Sequence, residues 1–320
     1  MMSIDCLRLS VTDRCNLRCI YCHPMPDCSF IERKDKLEFE EILRIVRLFS
    51  ECGIKKLRLT GGEPLVRRDI VRLVHKLYAI AGIEDLSVTT NGIFLKSLAA
   101  ELKAAGLRRV NISVDSIDRK TYERMTGFDM LPAVLDGIHK AIEVGLTPVK
   151  LNCVIIKGLN DGAEQIAALA GMSVDLPLSV RFIEYFPTNK STRPATDYVP
   201  NAMVRAAIGR KYGILSSAVT NPGNGPAEYY QVPGSAGTIG FISGRSSNFC
   251  RSCSRLRLTS DGKLMPCLYS ARAYDLKALI RLGQSDRQIR SYMNQIIAEK
   301  ADYTKYSLAK EEFSMCKIGG

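Results

Sequence analysis

The chain of 320 residues has no tryptophan, only three histidines, and aromatic residues at 7%. Without aromatics interleaved among basic residues, it lacks the stacking platforms that single-strand nucleic-acid binders use. No window approaches the roughly 18 uninterrupted apolar residues of a membrane span. The opening MMSIDCLRLS also lacks the basic-then-apolar order of a signal peptide, so a cytoplasmic chain is expected. At 46% apolar and 24% charged residues, disorder, collagen and coiled coil are excluded.

Two things are abundant. Lys plus Arg exceed Asp plus Glu by 12, which favours an anionic partner such as a phosphorylated small molecule, a membrane surface or a nucleic acid. The basic residues are scattered rather than gathered in runs, which weakens the nucleic-acid option. Eleven cysteines in a reducing compartment suit metal binding or catalysis better than disulfides. Six lie in two tight groups, Cys15, Cys19, Cys22 and Cys250, Cys253, Cys267. The isolated Cys6, Cys28, Cys52, Cys153 and Cys316 read as small buried hydrophobes.

Short β-branched runs at Leu7–Val11, Ile54–Thr60, Leu86–Thr90, Arg109–Val114, Val149–Ile156 and Ser179–Tyr185 alternate with stretches of helical period. The first such stretch carries Phe39, Ile42, Leu43, Val46 and Phe49 and is closed by Gly53. Others fall near 68–81, 96–105, 130–144 and 162–171. Six strands separated by helices predict an α/β fold with a parallel sheet, either open or an incomplete (βα) barrel, with its chemistry at the C-terminal strand ends. Residues 187–240 read as loops around a short helix near 201–209, followed by helices near 273–282 and 286–300. The expected division is 1–215 for a partial barrel and 216–320 for a C-terminal region.

Cys15-x3-Cys19-x2-Cys22 follows the first strand and offers three thiolates. Three ligands on one loop suit a 4Fe-4S cubane with one open iron, while zinc or free thiols stay open on spacing alone. Gly61-Gly62-Glu63-Pro64 follows the second strand. Such a turn permits close backbone approach, and Glu63 offers a carboxylate to a cation such as an amino group.

With Tyr21 before its third cysteine, the loop together with GGEP resembles the radical S-adenosylmethionine superfamily. The resemblance implies that Cys15, Cys19 and Cys22 hold a cluster whose open iron chelates the methionine moiety of S-adenosylmethionine. Gly62 and Glu63 would lie by its amino group, Ser113 of NISVDS by its ribose and carboxylate, and Tyr21 at the cofactor. It implies one-electron cleavage of the cofactor to a 5′-deoxyadenosyl radical that abstracts a substrate hydrogen.

The second group, Cys250-x2-Cys253-x13-Cys267, again has three thiolates. His23, His75 and His139 are distant in sequence, so a zinc site would need Cys316 or a carboxylate as its fourth ligand. A second 4Fe-4S cluster is the simpler account. Arg255 and Arg257 alternate on one strand face and can clamp phosphate bidentately. Arg8, Arg58 and Lys150 occupy strand positions where an inward residue is normally apolar, which calls for a counter-charge.

From LRLSVTDRCNLRCIYC through LRLTGGEPLVRRD, TTNG, VNISVDS, VKLNCVIIKGLND and RFIEYFP to FCRSCSRLRLTSDGKLMPCL and the terminal IGG, the chain resembles the molybdenum cofactor biosynthesis protein A (GTP 3′,8-cyclase) family. The fold implied is an incomplete (βα)6 TIM-like barrel with a C-terminal region carrying a second iron–sulfur cluster. Arg8, Arg58, Thr89, Lys150, Arg255 and Arg257 would bind GTP, with guanine at the second cluster's open iron and Phe186 against the cofactor adenine. Hydrogen would be taken from ribose C3′, and the sugar radical would attack C8. The product implied is (8S)-3′,8-cyclo-7,8-dihydroguanosine 5′-triphosphate, the first step of molybdenum cofactor biosynthesis. Gly319 and Gly320 would belong to a tail that reaches the active site.

The partners implied are an electron donor such as flavodoxin or ferredoxin and a downstream pyranopterin monophosphate synthase, and a homodimer is compatible with the family. His23, Phe186, Gly244 and Cys316 depart from the family pattern, and 187–201 matches it poorly. Two competing expectations are a radical enzyme acting on a peptide or another nucleotide, and a zinc or iron–sulfur nucleic-acid-binding protein. A peptide modifier has no need of the converging cations, and the binding protein leaves GGEP unexplained.

Overall fold

The strands alternate leucine or valine with polar residues, and the sheet sorts the two kinds onto opposite faces. In register across neighbouring parallel strands stand Leu7, Leu57 and Leu86, then Leu9, Leu59, Val88 and Val110, then Ile112, Leu151, Val180 and Ile239. All are at most 1% exposed. They share one apolar core with Ile42, Ile45, Val46 and Phe49 of the first helix and Leu73, Val74 and Leu77 of the second. Each such side chain contributes on the order of 1.5–3 kcal/mol by leaving water. The polar residues of the same strands therefore face the other way, onto the side of the sheet opposite that apolar core.

The computed structural model describes residues 4–22, 30–186, 194–218, 225–247, 253–268, 270 and 272–300. In order these form β1 (Cys6–Ser10), α1 (Phe39–Glu51), β2 (Lys56–Thr60), α2 (Ile70–Tyr78), β3 (Asp85–Thr90), α3 (Leu95–Ala104), β4 (Arg109–Ser113), α4 (Arg119–Thr126) and α5 (Leu131–Glu143). There follow β5 (Val149–Ile155), α6 (Ala163–Asp175), β6 (Leu178–Glu184), α7 (Asn201–Tyr212), β7 (Ser216–Ser217), β8 (Glu228–Gln231) and β9 (Thr238–Ile242). The chain continues through β10 (Arg255–Leu258), β11 (Lys263–Met265), β12 (Tyr274–Asp275), α8 (Leu276–Arg281) and α9 (Asp286–Glu299).

The sheet runs β12-β11-β10-β1-β2-β3-β4-β5-β6-β9-β8-β7 and does not close. From β10 to β9 every pairing is parallel, and antiparallel strands flank both ends. The six expected strands are thus the middle of a larger sheet. Segment 187–240 is corrected from loops to a stretch that also carries β7, β8 and most of β9; its Gly and Pro punctuation masks strands of five residues or fewer. Residues from 216 onward join the sheet at both edges: β9 pairs with β6, and β10 pairs with β1.

Two helices, not one, connect β4 to β5. The additional α4, RKTYERMT, buries only Thr121, Tyr122, Met125 and Thr126, so its apolar face is too sparse to read as a period. Asp118 caps its start by accepting from Thr121 N at 2.8 Å, and Gly127 ends it at φ +81°. Helices α8 and α9 return to α1, where Arg281 binds Glu41 and Arg44 binds Asp286. No helix among the described residues is long and apolar enough to cross a membrane.

Candidate active site

The loop carrying the first cysteine group leaves the tip of β1 and is held from three directions. Gly62 N donates to Thr12 O at 2.7 Å and Glu63 N to Arg14 O at 2.8 Å, so the GGEP turn runs alongside the loop as if extending the sheet. A Cβ on Gly62 would lie 2.5 Å from the Arg14 carbonyl carbon and 2.9 Å from Asp13 O. Only glycine allows that approach. From below, Arg67 donates to Val11 O and Leu37 O. From the side, the freed carbonyls at the end of α4 accept Arg18 N at 2.8 Å (Thr126 O) and Ile20 N at 3.0 Å (Met125 O). The helix absent from the sequence reading is therefore the one that docks the cysteine loop.

Cys15, Cys19 and Cys22 are half-buried on this loop, and Leu17 N points at Cys15 Sγ at 3.4 Å. Burial pushes the Cys19 thiol well up, reinforced by Cys22, Asp115 and Cys15. A thiolate at Cys19 is costly there, so three thiolates on this loop would call for a cation to neutralise them. Among the described residues no three His, Cys, Asp or Glu side chains converge on a single metal ion. A cubane, whose irons each take one thiolate, fits this donor set better than one tetrahedral zinc.

Glu63 is 1% exposed. Its Oε1 accepts Thr90 Oγ1 at 2.6 Å and Leu65 N at 3.0 Å, and its Oε2 accepts Asn91 N at 2.6 Å. Burial lifts this carboxyl to about 7 against those bonds. The carboxylate is thus engaged in tying β2 to the tip of β3. Beside it, Asn91 Nδ2 reaches Asn16 Oδ1 at 2.7 Å, linking TTNG to the cysteine loop. Tyr21 is half-buried with its hydroxyl on Asp115, while Ser113, Thr89 and Phe186 sit half-buried at or just beyond the strand ends.

On the polar face of the sheet three arginines stand in one row and Lys150 in another. Arg257, Arg8, Arg58 and Ser87 are in register across four parallel strands. Thr89, Asn111, Lys150 and Ser179 form a second row, and Arg255 lies opposite Cys6. Burial, then Arg257, Arg255 and Arg58, push Arg8 well below its ordinary range. Burial likewise lowers Arg58 to about 10. Lys150, 3% exposed, falls to about 7 through burial and through Arg181, Arg109 and Arg58. No carboxylate pairs with Arg8, Arg58 or Arg181 among the described residues, and Arg8 Nε and Arg181 Nε are buried without a hydrogen-bond partner there. An unmet buried donor costs about 1–3 kcal/mol, so the face can take an anion with several oxygens.

Arg181 obeys the rule that singled out Arg8 and Lys150, an inward cation between apolar neighbours, yet the sequence reading passed over it. It is 4% exposed and donates to Asn111 Oδ1 at 2.7 Å. Cys6, expected to be a buried hydrophobe, is half-buried beside this cationic row; Cys52 is half-buried and Cys153 fully buried. Glu184 of RFIEYFP accepts from Tyr198 Oη, Asn201 N, Arg245 N, Ser246 N and Ser246 Oγ. It thereby fixes the Gly244 loop that leads toward the second cysteine group.

Of that group, Cys253 precedes β10 and Cys267 follows β11, so the antiparallel β10–β11 pairing brings them to one end of the hairpin. Burial pushes the Cys253 thiol up, but Arg255 and Lys300 outweigh it and bring it to about 7. Cys250, Gly319, Gly320, His23, Cys28 and Cys316 lie outside the described residues.

Two family models match the chain: the radical SAM superfamily over residues 9–170 and the C-terminal molybdenum cofactor synthesis family over residues 178–306. The GTP 3′,8-cyclase of Pelotomaculum thermopropionicum is 44% identical over 99% of this chain and 98% of its own length. That of Petrotoga mobilis is 46% identical over 99% and 98%. Among solved structures, Streptococcus suis SuiB bound to S-adenosylmethionine superposes with a TM-score of 0.59 at 17% identity, covering 91% of this chain and 68% of its own, a likeness of fold. The chain belongs to the radical SAM superfamily and, within it, to the family of the GTP 3′,8-cyclases.

Proposed function

We propose that this chain is a GTP 3′,8-cyclase acting in molybdenum cofactor biosynthesis. Hydrogen passes from ribose C3′ to the cofactor's 5′-deoxyadenosyl radical, the C3′–C8 bond forms, and an electron from the electron donor and a proton are added to the purine. The product, (8S)-3′,8-cyclo-7,8-dihydroguanosine 5′-triphosphate, is therefore an isomer of GTP. The observation that carries this reading is the in-register row Arg257, Arg8 and Arg58 on the polar face of the sheet whose strand tips present the cysteine loop.

In this reading Cys15, Cys19 and Cys22 hold a 4Fe-4S cluster. With S-adenosylmethionine bound there, one-electron reduction would supply a 5′-deoxyadenosyl radical. Tyr21, Gly62, Ser113 and Phe186 bound the cofactor, and Glu63 acts by fixing the turn that presents Gly62. Arg8, Arg58, Lys150, Arg255 and Arg257, with Thr89 beside them, receive GTP, and their planar or point charges meet the triphosphate oxygens. Binding replaces like-charge repulsion with compensation, so the substrate orders its own site.

Cys250, Cys253 and Cys267 would hold a second 4Fe-4S cluster that would serve the guanine of the substrate, and Gly319 and Gly320 would take part in the reaction. Residues 1–215 form the cofactor-bearing partial barrel, and 216–320 form the region that completes it for substrate. The electron donor is a flavodoxin- or ferredoxin-type protein, the product passes to a pyranopterin monophosphate synthase, and the enzyme works in the cytoplasm.

The test is anaerobic. The protein is reconstituted with iron and sulfide and given dithionite, S-adenosylmethionine and GTP, and the products are read by mass spectrometry. 5′-Deoxyadenosine with a species isomeric with GTP is expected. 5′-Deoxyadenosine with intact GTP would redirect the enzyme to another substrate, and no cofactor cleavage by a fully loaded protein would overturn the reading.

A further inference from the structure

Lys300 follows the last turn of α9 and is 4% exposed, an unusual place for an ammonium group. Its Nζ donates to Arg255 O at 2.6 Å and to Pro266 O at 2.7 Å, with Cys253 Sγ at 3.8 Å. Those are three directions for three protons. The two carbonyls belong to opposite limbs of the β10–β11 hairpin, one two residues after Cys253 and the other immediately before Cys267.

No carboxylate pairs with Lys300 among the described residues. The sulfur within reach of its ammonium is that of Cys253, and Arg255 and Arg257 are further cations on the same hairpin. A buried ammonium is costly unless a counter-charge and hydrogen bonds compensate it. Here the available counter-charge is thiolate sulfur, and the backbone carbonyls fix the geometry.

We propose that Lys300 is a positioning residue for the second cysteine group. Its ammonium clasps the Cys253 and Cys267 limbs and holds a positive charge against the Cys253 sulfur, making an iron–sulfur cluster bound there easier to reduce. The inference rests on the reading that this group holds such a cluster. Its physics is the dependence of cluster potential on nearby charge and on hydrogen bonds to sulfur, since reduction adds negative charge that a neighbouring cation stabilises.

The experiment uses the full chain carrying Cys15→Ala, Cys19→Ala and Cys22→Ala, so that iron reports on the second group alone. Into this parent go Lys300→Met and Lys300→Arg. After anaerobic reconstitution, iron per chain is measured, and the cluster's reduction potential is followed by electron paramagnetic resonance.

The Met variant is expected to show a more negative potential and greater iron loss on desalting, while the Arg variant stays near the parent potential. If Met does not retain the cluster at all, restoration of loading by Lys300→Arg but not by Lys300→Gln supports the same role. A Met variant with the parent's potential and loading, or Met and Arg variants equally displaced, overturns the role of Lys300. A parent that takes up zinc or no cluster overturns the second-cluster reading itself.

Discussion

The Tyr21 hydroxyl donates to Asp115 Oδ2 at 2.6 Å, joining the cysteine loop to the tip of β4. Asp115 Oδ1 accepts Val154 N at 2.8 Å, and Asn160 Nδ2 bridges Asp115 O at 2.7 Å and Val154 O at 2.9 Å. The loop is thereby coupled through a buried polar chain to two strand ends. Burial raises the Asp115 carboxyl to about 6, with the bonds from Tyr21 and Val154 opposing the rise.

Tyr21→Phe removes the donor and leaves a buried carboxylate one partner short. A hydrogen bond to a charged group contributes about 1.5–3 kcal/mol. The variant is therefore expected to unfold several degrees lower and to release iron faster after reconstitution. Thermal unfolding of the apoprotein and timed iron release both check this, and an unchanged midpoint would remove the contact from the account of loop order.

Glu63 makes a pH prediction. Its folded pKa of about 7 stands above the ordinary value of about 4.3, so between those values the native chain binds more protons than the unfolded chain. Its contribution to stability consequently falls as pH rises from about 4 to about 7. Glu63→Gln cannot titrate, and the apoprotein's loss of stability across this window should be shallower in the variant than in the parent. Denaturant unfolding at pH 5, 6 and 7 decides it, and equal slopes would refute it.

Arg8→Met should stabilise the apoprotein and damage substrate binding together. The guanidinium it removes is buried against Arg257, Arg255 and Arg58, with Nε unpartnered among the described residues. Its loss relieves repulsion but deletes charge-assisted bonds to a triphosphate. At about 1.5–3 kcal/mol per such bond, affinity for GTP should drop roughly 10- to 100-fold or more. A higher unfolding midpoint with weaker GTP binding by calorimetry is expected; a lower midpoint with intact binding would make Arg8 a structural residue.

The parts of this architecture that the sequence displays are those written in a short period or a dense motif. The six central strands show because β-branched runs are long enough to alternate, and Arg8, Arg58 and Lys150 show because a cation interrupts the alternation. By the same logic Arg181 is legible, a cation between Val180 and Phe182. Helix α4 and strand β8 were illegible for a different reason: eight mostly polar residues and four residues after a Gly-Pro turn carry too little apolar pattern. Lys300 had no local signal at all. Its role depends on α9 ending against a hairpin that begins some 45 residues earlier, a tertiary relationship that no window contains.

Lys150 links the electrostatics to ligand binding. Held at about 7 by burial and by Arg181, Arg109 and Arg58, against an ordinary value near 10.4, it is largely neutral in the free protein at pH 8.5. A triphosphate brought within reach favours the ammonium and raises its pKa, so binding GTP above pH 7 takes up a proton, and affinity falls as pH climbs from about 7 toward 10. Below pH 7 the free protein already carries that proton and the uptake vanishes. Calorimetry at pH 8.5 in buffers of different ionisation heat should register uptake approaching one proton per GTP in the parent and near zero in Lys150→Met. The terminal phosphate is already ionised at that pH and cannot mimic the signal. Equal uptake in the two proteins would assign the proton to another group and detach Lys150 from the anion site.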